Sequence, residues 1–101
     1  MKSPKNIIIT GASSGLGAAL ARHYAHPGVT LHLQGRNSER LQKVAEICQE
    51  FGATVFFGSL DVTDAQAMHA WLTAADGTGP IDLIIANAGI SAGTGSGLES
   101  T

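Results

Sequence analysis

Cysteine is almost missing from this 101-residue chain: Cys48 stands alone, which excludes an intramolecular disulfide and a metal site built from cysteines. Charge is sparse, at 14% of residues with a formal net charge of −2, a balance that argues against nucleic acid as the main partner. Tyr24 is the only tyrosine. No apolar stretch approaches the ~20 residues of a membrane span. The run after Met1-Lys2-Ser3-Pro4-Lys5 is too short for the apolar part of a secretory signal. With no membrane or export signal, a cytoplasmic protein is the default expectation. Of the four histidines, His23, His26, His32 and His69, only the pair His23 and His26 approaches a metal-ligand spacing, so all four are expected at the surface or at helix ends and no metal is expected.

What is present is apolar residue, at 44%, enough to bury the core of one small domain. Its arrangement alternates strand and helix. Strands are expected over Lys5 to Thr10, Val29 to Gln34, Ala53 to Phe57 and Ile81 to Ala86. The first is unbroken and β-branched, as in a strand covered on both faces. A first helix runs from about Ala18 to Ala25, with Leu16, Leu20, His23 and Tyr24 on its apolar face. Asn37 or Ser38 can cap a second helix, whose apolar face is Leu41, Val44, Ala45, Cys48 and Phe51, with Gly52 as its end. A third helix carries Met68, Trp71, Leu72 and Ala75 on one face and stops at Asp76-Gly77-Thr78-Gly79-Pro80. Such alternation implies a parallel sheet of about four strands in the order 3-2-1-4, with three helices and with ligand at the carboxyl ends of the strands. Residues 91–101, rich in Gly, Ser and Thr, are expected to be loosely ordered.

The stretch Thr10-Gly11-Ala12-Ser13-Ser14-Gly15-Leu16-Gly17 sits between the first strand and the first helix, where a phosphate-binding loop belongs. Gly11 allows the tight turn, Gly15 lets the backbone approach a pyrophosphate, and Gly17 lets the helix pack closely on the strand. Ser13, Ser14 and Leu16 offer hydroxyl or N–H donors, and the helix N-terminus attracts an anion. The alternative is a glycine-rich turn that binds nothing. Gly35-Arg36, Asp61 and Asn87-Ala88-Gly89 fall at the ends of the other strands, on the same rim.

The spacing T-G-x-x-x-G-x-G after a strand resembles the cofactor loop of the classical short-chain dehydrogenase/reductase family. Asn87-Ala88-Gly89 after the fourth strand is similar to that family's N-A-G motif, and Asp61-Val62 to its adenine-contacting pair. The resemblance covers about residues 5–91 and implies the N-terminal part, over residues 1–101, of a Rossmann-like three-layer α/β domain that binds NAD or NADP. Asp61 would accept from the adenine amino group, Val62 would flank the ring, and Asn87, Ala88 and Gly89 would line the ribose. Asp61 could instead cap the third helix, a place that Asp64 or Thr63 could also fill.

Position 35 selects the cofactor. A carboxylate at the end of the second strand binds the adenosine ribose hydroxyls. Here Gly35 and Arg36 stand there, and a guanidinium suits a 2′-phosphate. NADP is therefore expected ahead of NAD, with Arg40 a possible helper and with a solvated Arg36 as the alternative. Family chemistry is hydride transfer between nicotinamide and a carbonyl or alcohol, with a Tyr-x-x-x-Lys pair as the acid/base group. Tyr24 is followed four residues later by Gly28, so these 101 residues carry no catalytic residues of that kind and the chain alone is expected to be inactive. A different reading is a non-catalytic nucleotide-binding half-domain that pairs with itself, as a homo-oligomer, through the edge of the fourth strand. A nucleotide-sugar epimerase fits less well, because those carry G-x-x-G-x-x-G at the loop.

Overall fold

The computed structural model describes residues 4–87. The expectations for Ala88, Gly89 and the 91–101 tail lie outside them. The element order is β1 (Asn6–Thr10), α1 (Gly15–Tyr24), β2 (Thr30–Gln34), α2 (Ser38–Glu50), β3 (Thr54–Gly58), α3 (Ala65–Asp76) and β4 (Leu83–Ala86). The sheet is parallel, in the order β3-β2-β1-β4. Its register pairs Ile8 with both His32 and Ile84. All five residues of β1 are buried, as expected of a central strand covered on both sides.

Side chains alternate across the sheet, so Ile7, Ile9, Leu31 and Leu33 share one face. There they form the core with Ala18, Ala21 and Ala25 at α1 and with Leu41, Val44, Ala45 and Cys48 of α2. Burying an Ile or Leu side chain stabilises by about 1.5–3 kcal/mol. On α2 the i, i+3, i+4, i+7 series is the buried one, and the Asn37 side chain caps the helix by accepting from Arg40 N at 3.0 Å. Phe51 departs from the series. It lies one residue beyond the helix and is 49% exposed.

Helix α1 meets the expected face only in part: Leu20 and Tyr24, half-buried, pack against the core as expected, and the fully buried residues are the small ones beside them. It buries Gly17, Ala18 and Ala21, while Leu16 is 63% exposed and His23 is exposed. The helix begins at Gly15, and its small residues bring its backbone against the sheet, which rotates Leu16 outward. No helix among the described residues is long and apolar enough to cross a membrane.

The opposite face is more polar. Asp64 caps α3, accepting from Ala67 N at 3.1 Å, and α3 buries only Ala75, with Met68, Trp71 and Leu72 half-buried. His32, expected at the surface, is instead buried in β2. Its ring stacks on Phe56 with centroids 5.3 Å apart. Asn6 Nδ2 donates to the Gly79 carbonyl at 2.8 Å, which turns Asn6 Oδ1 toward His32 Nε2 at 2.9 Å and assigns the imidazole proton to Nε2. Thr78 Oγ1, which donates to the Ala75 carbonyl, lies 3.3 Å from the same nitrogen. At the entrance to β4 the Asp82 carboxylate accepts from Lys5 N and Asn6 N at 2.8 and 3.0 Å and is held below the usual carboxylate range by those bonds.

Burial pushes the His32 pKa down from its ordinary 6.5. The folded chain therefore keeps a neutral imidazole that the unfolded chain protonates. The contribution of His32 to stability is complete above pH ~6.5 and is lost as the pH falls below it, because there the unfolded state binds more protons. The urea midpoint of the wild type should fall between pH 7.5 and 5, and that of His32→Gln should fall less. Equal slopes for the two chains would contradict this role for His32.

Candidate functional site

Parallel pairing puts Thr10 beside Ala86 and Gln34 beside Gly58, so the segments that follow β1, β2, β3 and β4 share one rim. Gly11 is its centre. Its φ of 68° is in the left-handed region that favours glycine. Its N–H donates to Gln34 Oε1 at 2.9 Å. Its carbonyl accepts from Ser14 Oγ at 3.0 Å and from Asn87 Nδ2 at 3.2 Å. The asparagine thus ties the end of β4 to the glycine loop.

A Cβ on Gly17 would collide with the Gly11 carbonyl oxygen and come within 3.0 Å of Ala12 Cα, so the close packing expected on the strand is made on the turn that leaves it. A Cβ on Gly15 would meet nothing within 4 Å; that position opens away from the protein. Side chains cap α2 and α3, but none caps α1, where the Ser14 hydroxyl is turned back to Gly11, and no acidic residue occupies its first turn. The first N–H groups of a helix have no partner within it, so Gly15, Leu16 and Gly17 present donors at the rim.

Beyond β2, Gly35 is buried against the glycine loop. A Cβ there would lie 2.7 Å from Ser13 Oγ, 2.9 Å from Ser13 Cβ and 3.1 Å from Ser13 N. Arg36 follows it, exposed, with its carbonyl accepting from Ser59 Oγ at 3.2 Å. Asp61 does not cap α3. Its Oδ1 accepts from Thr63 N and Thr63 Oγ1 at 2.9 and 2.8 Å. Those two bonds, and then the charge of Arg36, hold its carboxyl below the usual range. Val62 beside it is half-buried. The rim therefore joins Gly11, Ser14, Gly17 and Asn87 by direct contact, Ser13 to Gly35 by packing, and Arg36 to Asp61 by charge.

Gln34 escaped the sequence reading. It is fully buried, with Oε1 on Gly11 N and Nε2 donating to the Leu60 carbonyl. The available signal was a polar residue closing an otherwise buried strand, between Leu33 and Gly35.

The family model described as short chain dehydrogenase matches residues 5–100. The chain belongs to the short-chain dehydrogenase family. A relative, serine 3-dehydrogenase of Agrobacterium fabrum, is 41% identical over 90 residues, which are 87% of this chain and 34% of that protein. The chain spans about a third of the length of the curated relatives it matches. Among solved structures, a metagenomic short-chain oxidoreductase in complex with NADP superposes with a TM-score of 0.77 at 29% identity, covering 89% of this chain and 42% of that one. Carveol dehydrogenase of Mycobacterium avium in complex with NAD superposes with a TM-score of 0.78, covering 84% of this chain and 35% of that one, and at 23% identity the likeness is one of fold.

The packing of Ser13 on Gly35 makes a coupled pair. Gly35→Ala should destabilise by ~1–3 kcal/mol, the usual range for overpacking, and Ser13→Gly should recover most of that loss in the double variant, as read by urea denaturation. Strictly additive effects would show that the two residues do not meet.

Proposed function

We propose that the chain is the N-terminal, cofactor-binding part, over residues 1–101, of an NADP-dependent short-chain oxidoreductase that moves a hydride between nicotinamide and a small carbonyl or alcohol substrate. The observation that carries this reading is the uncapped start of α1 beside a rim that ends β2 in Gly35-Arg36 rather than in a carboxylate. The residues fit a dinucleotide: the opening at Gly15 admits a pyrophosphate, and the fixed turn at Gly11 aims the helix donors at it.

In this reading the loop from Gly11 to Gly17 holds the pyrophosphate, with Ser13, Ser14 and the Leu16 N–H as donors. Arg36 pairs with the 2′-phosphate. Asp61 accepts from the adenine amino group and Val62 flanks the ring. Asn87, Ala88 and Gly89 line the ribose. The bound nicotinamide supplies the hydride chemistry, and the acid/base residues come from outside this chain. A cytoplasmic homo-oligomer, with no nucleic-acid or membrane partner, belongs to the same reading.

The test is calorimetric titration of the purified chain with NADP and, separately, NAD. NADP should bind more tightly. Arg36→Ala should weaken it about tenfold or more, since a charge-assisted bond contributes ~1.5–3 kcal/mol, and should leave NAD little changed. Equal affinities in the wild type would contradict the NADP preference. In the presence of NADPH the same chain should reduce no carbonyl substrate, and measurable turnover would overturn its assignment as the non-catalytic part.

A further inference from the structure

Within the cofactor reading, on which this inference rests, we propose that Gln34 is a positioning residue that sets the span between the pyrophosphate loop and the adenine-side loop. Its side-chain amide is completely buried at the carboxyl end of β2. Oε1 accepts from Gly11 N, and Nε2 donates to the Leu60 carbonyl, one residue before Asp61. Its own backbone carbonyl accepts from Ala12 N at 2.7 Å. One residue thus holds two consecutive N–H groups of the glycine loop and the carbonyl that leads into Asp61-Val62, and Arg36 follows it by two positions.

The geometry makes both ends of the amide necessary. Buried polar groups that lose a partner are costly, so a side chain that bonds to only one loop leaves the other to relax. A dinucleotide touches the glycine loop and the Arg36–Asp61 side together, and its affinity depends on their separation being fixed before it arrives. Gly11 is under the same control, because the acceptor that fixes its N–H belongs to Gln34. The arrangement also gives glutamine a property that leucine or glutamate lacks: it accepts from one loop while donating to the other. A protonated glutamic acid does the same, an ionised one does not.

The experiment compares wild type, Gln34→Leu and Gln34→Glu by calorimetric titration with NADP, at a temperature where circular dichroism shows each chain folded, together with amide hydrogen exchange at Gly11 and Ile8. Gln34→Leu should bind NADP about tenfold more weakly or worse, and Gly11 should lose protection while Ile8 in the core of β1 keeps it. Gln34→Glu should bind weakly at pH 8 and approach wild-type affinity, measured at the same pH, as the pH falls and its carboxyl protonates. A purely structural role would lower thermal stability but leave the affinity of the folded variants and the pH trend of their ratio to wild type unmoved, and that outcome overturns the inference. If Gln34→Leu does not fold, the pH trend of Gln34→Glu decides. A wild type that binds neither NADP nor NAD overturns the cofactor reading and this inference together, whereas a wild type that binds beside a folded Gln34→Leu of equal affinity overturns this inference alone.

Discussion

The peptide unit at Gly11 is the point on which the carboxyl rim depends. Its left-handed φ turns the chain out of β1. Its N–H is held from β2 by Gln34, and its carbonyl is held from β4 by Asn87 and from its own loop by Ser14. The same carbonyl is the surface against which Gly17 packs. A side chain at position 11 would strain the turn, and one at position 17 would push the helix off it. Two glycines six residues apart therefore make one contact, and that contact fixes where α1 begins.

The two faces of the sheet divide the work of stability and placement. On one, α1 and α2 cover aliphatic side chains, and α1 does so with glycine and alanine at its most buried positions, flanked by Leu20 and Tyr24, which places its N-terminus at the rim. On the other, Asn6, His32 and Thr78 knit the start of β1, the middle of β2 and the turn after α3 through hydrogen bonds around an imidazole that burial biases toward its neutral form. Buried polar groups of this kind must be satisfied in full, so the network specifies where the chain after α3 crosses back toward β4.

Much of this was legible in the sequence because the signals were local. The strand alternation, the cap at Asn37, the i, i+4 series on α2 and the glycine spacing each depend on residues within a few positions of one another, and the sheet order follows from alternation and chirality. What stayed hidden depends on residues far apart in the chain. His32 is buried because Asn6 and Thr78, 26 and 46 positions away, accept it. Leu16 faces outward because the small face of α1 takes the sheet. Gln34 matters through Gly11 and Leu60, and Gly35 is constrained by Ser13. A periodicity argument contains none of these distances.

The cofactor proposal turns on this rim as the surface that receives a dinucleotide. The most direct measurement is a titration of the isotope-labelled chain with NADP followed by amide chemical shifts. The account predicts changes concentrated at Gly15, Leu16, Gly17, Arg36 and Asp61, with Gly28 and Asp82 at the amino ends of the strands unmoved. Shifts gathered at the amino edge, or none anywhere at saturating cofactor, would contradict it.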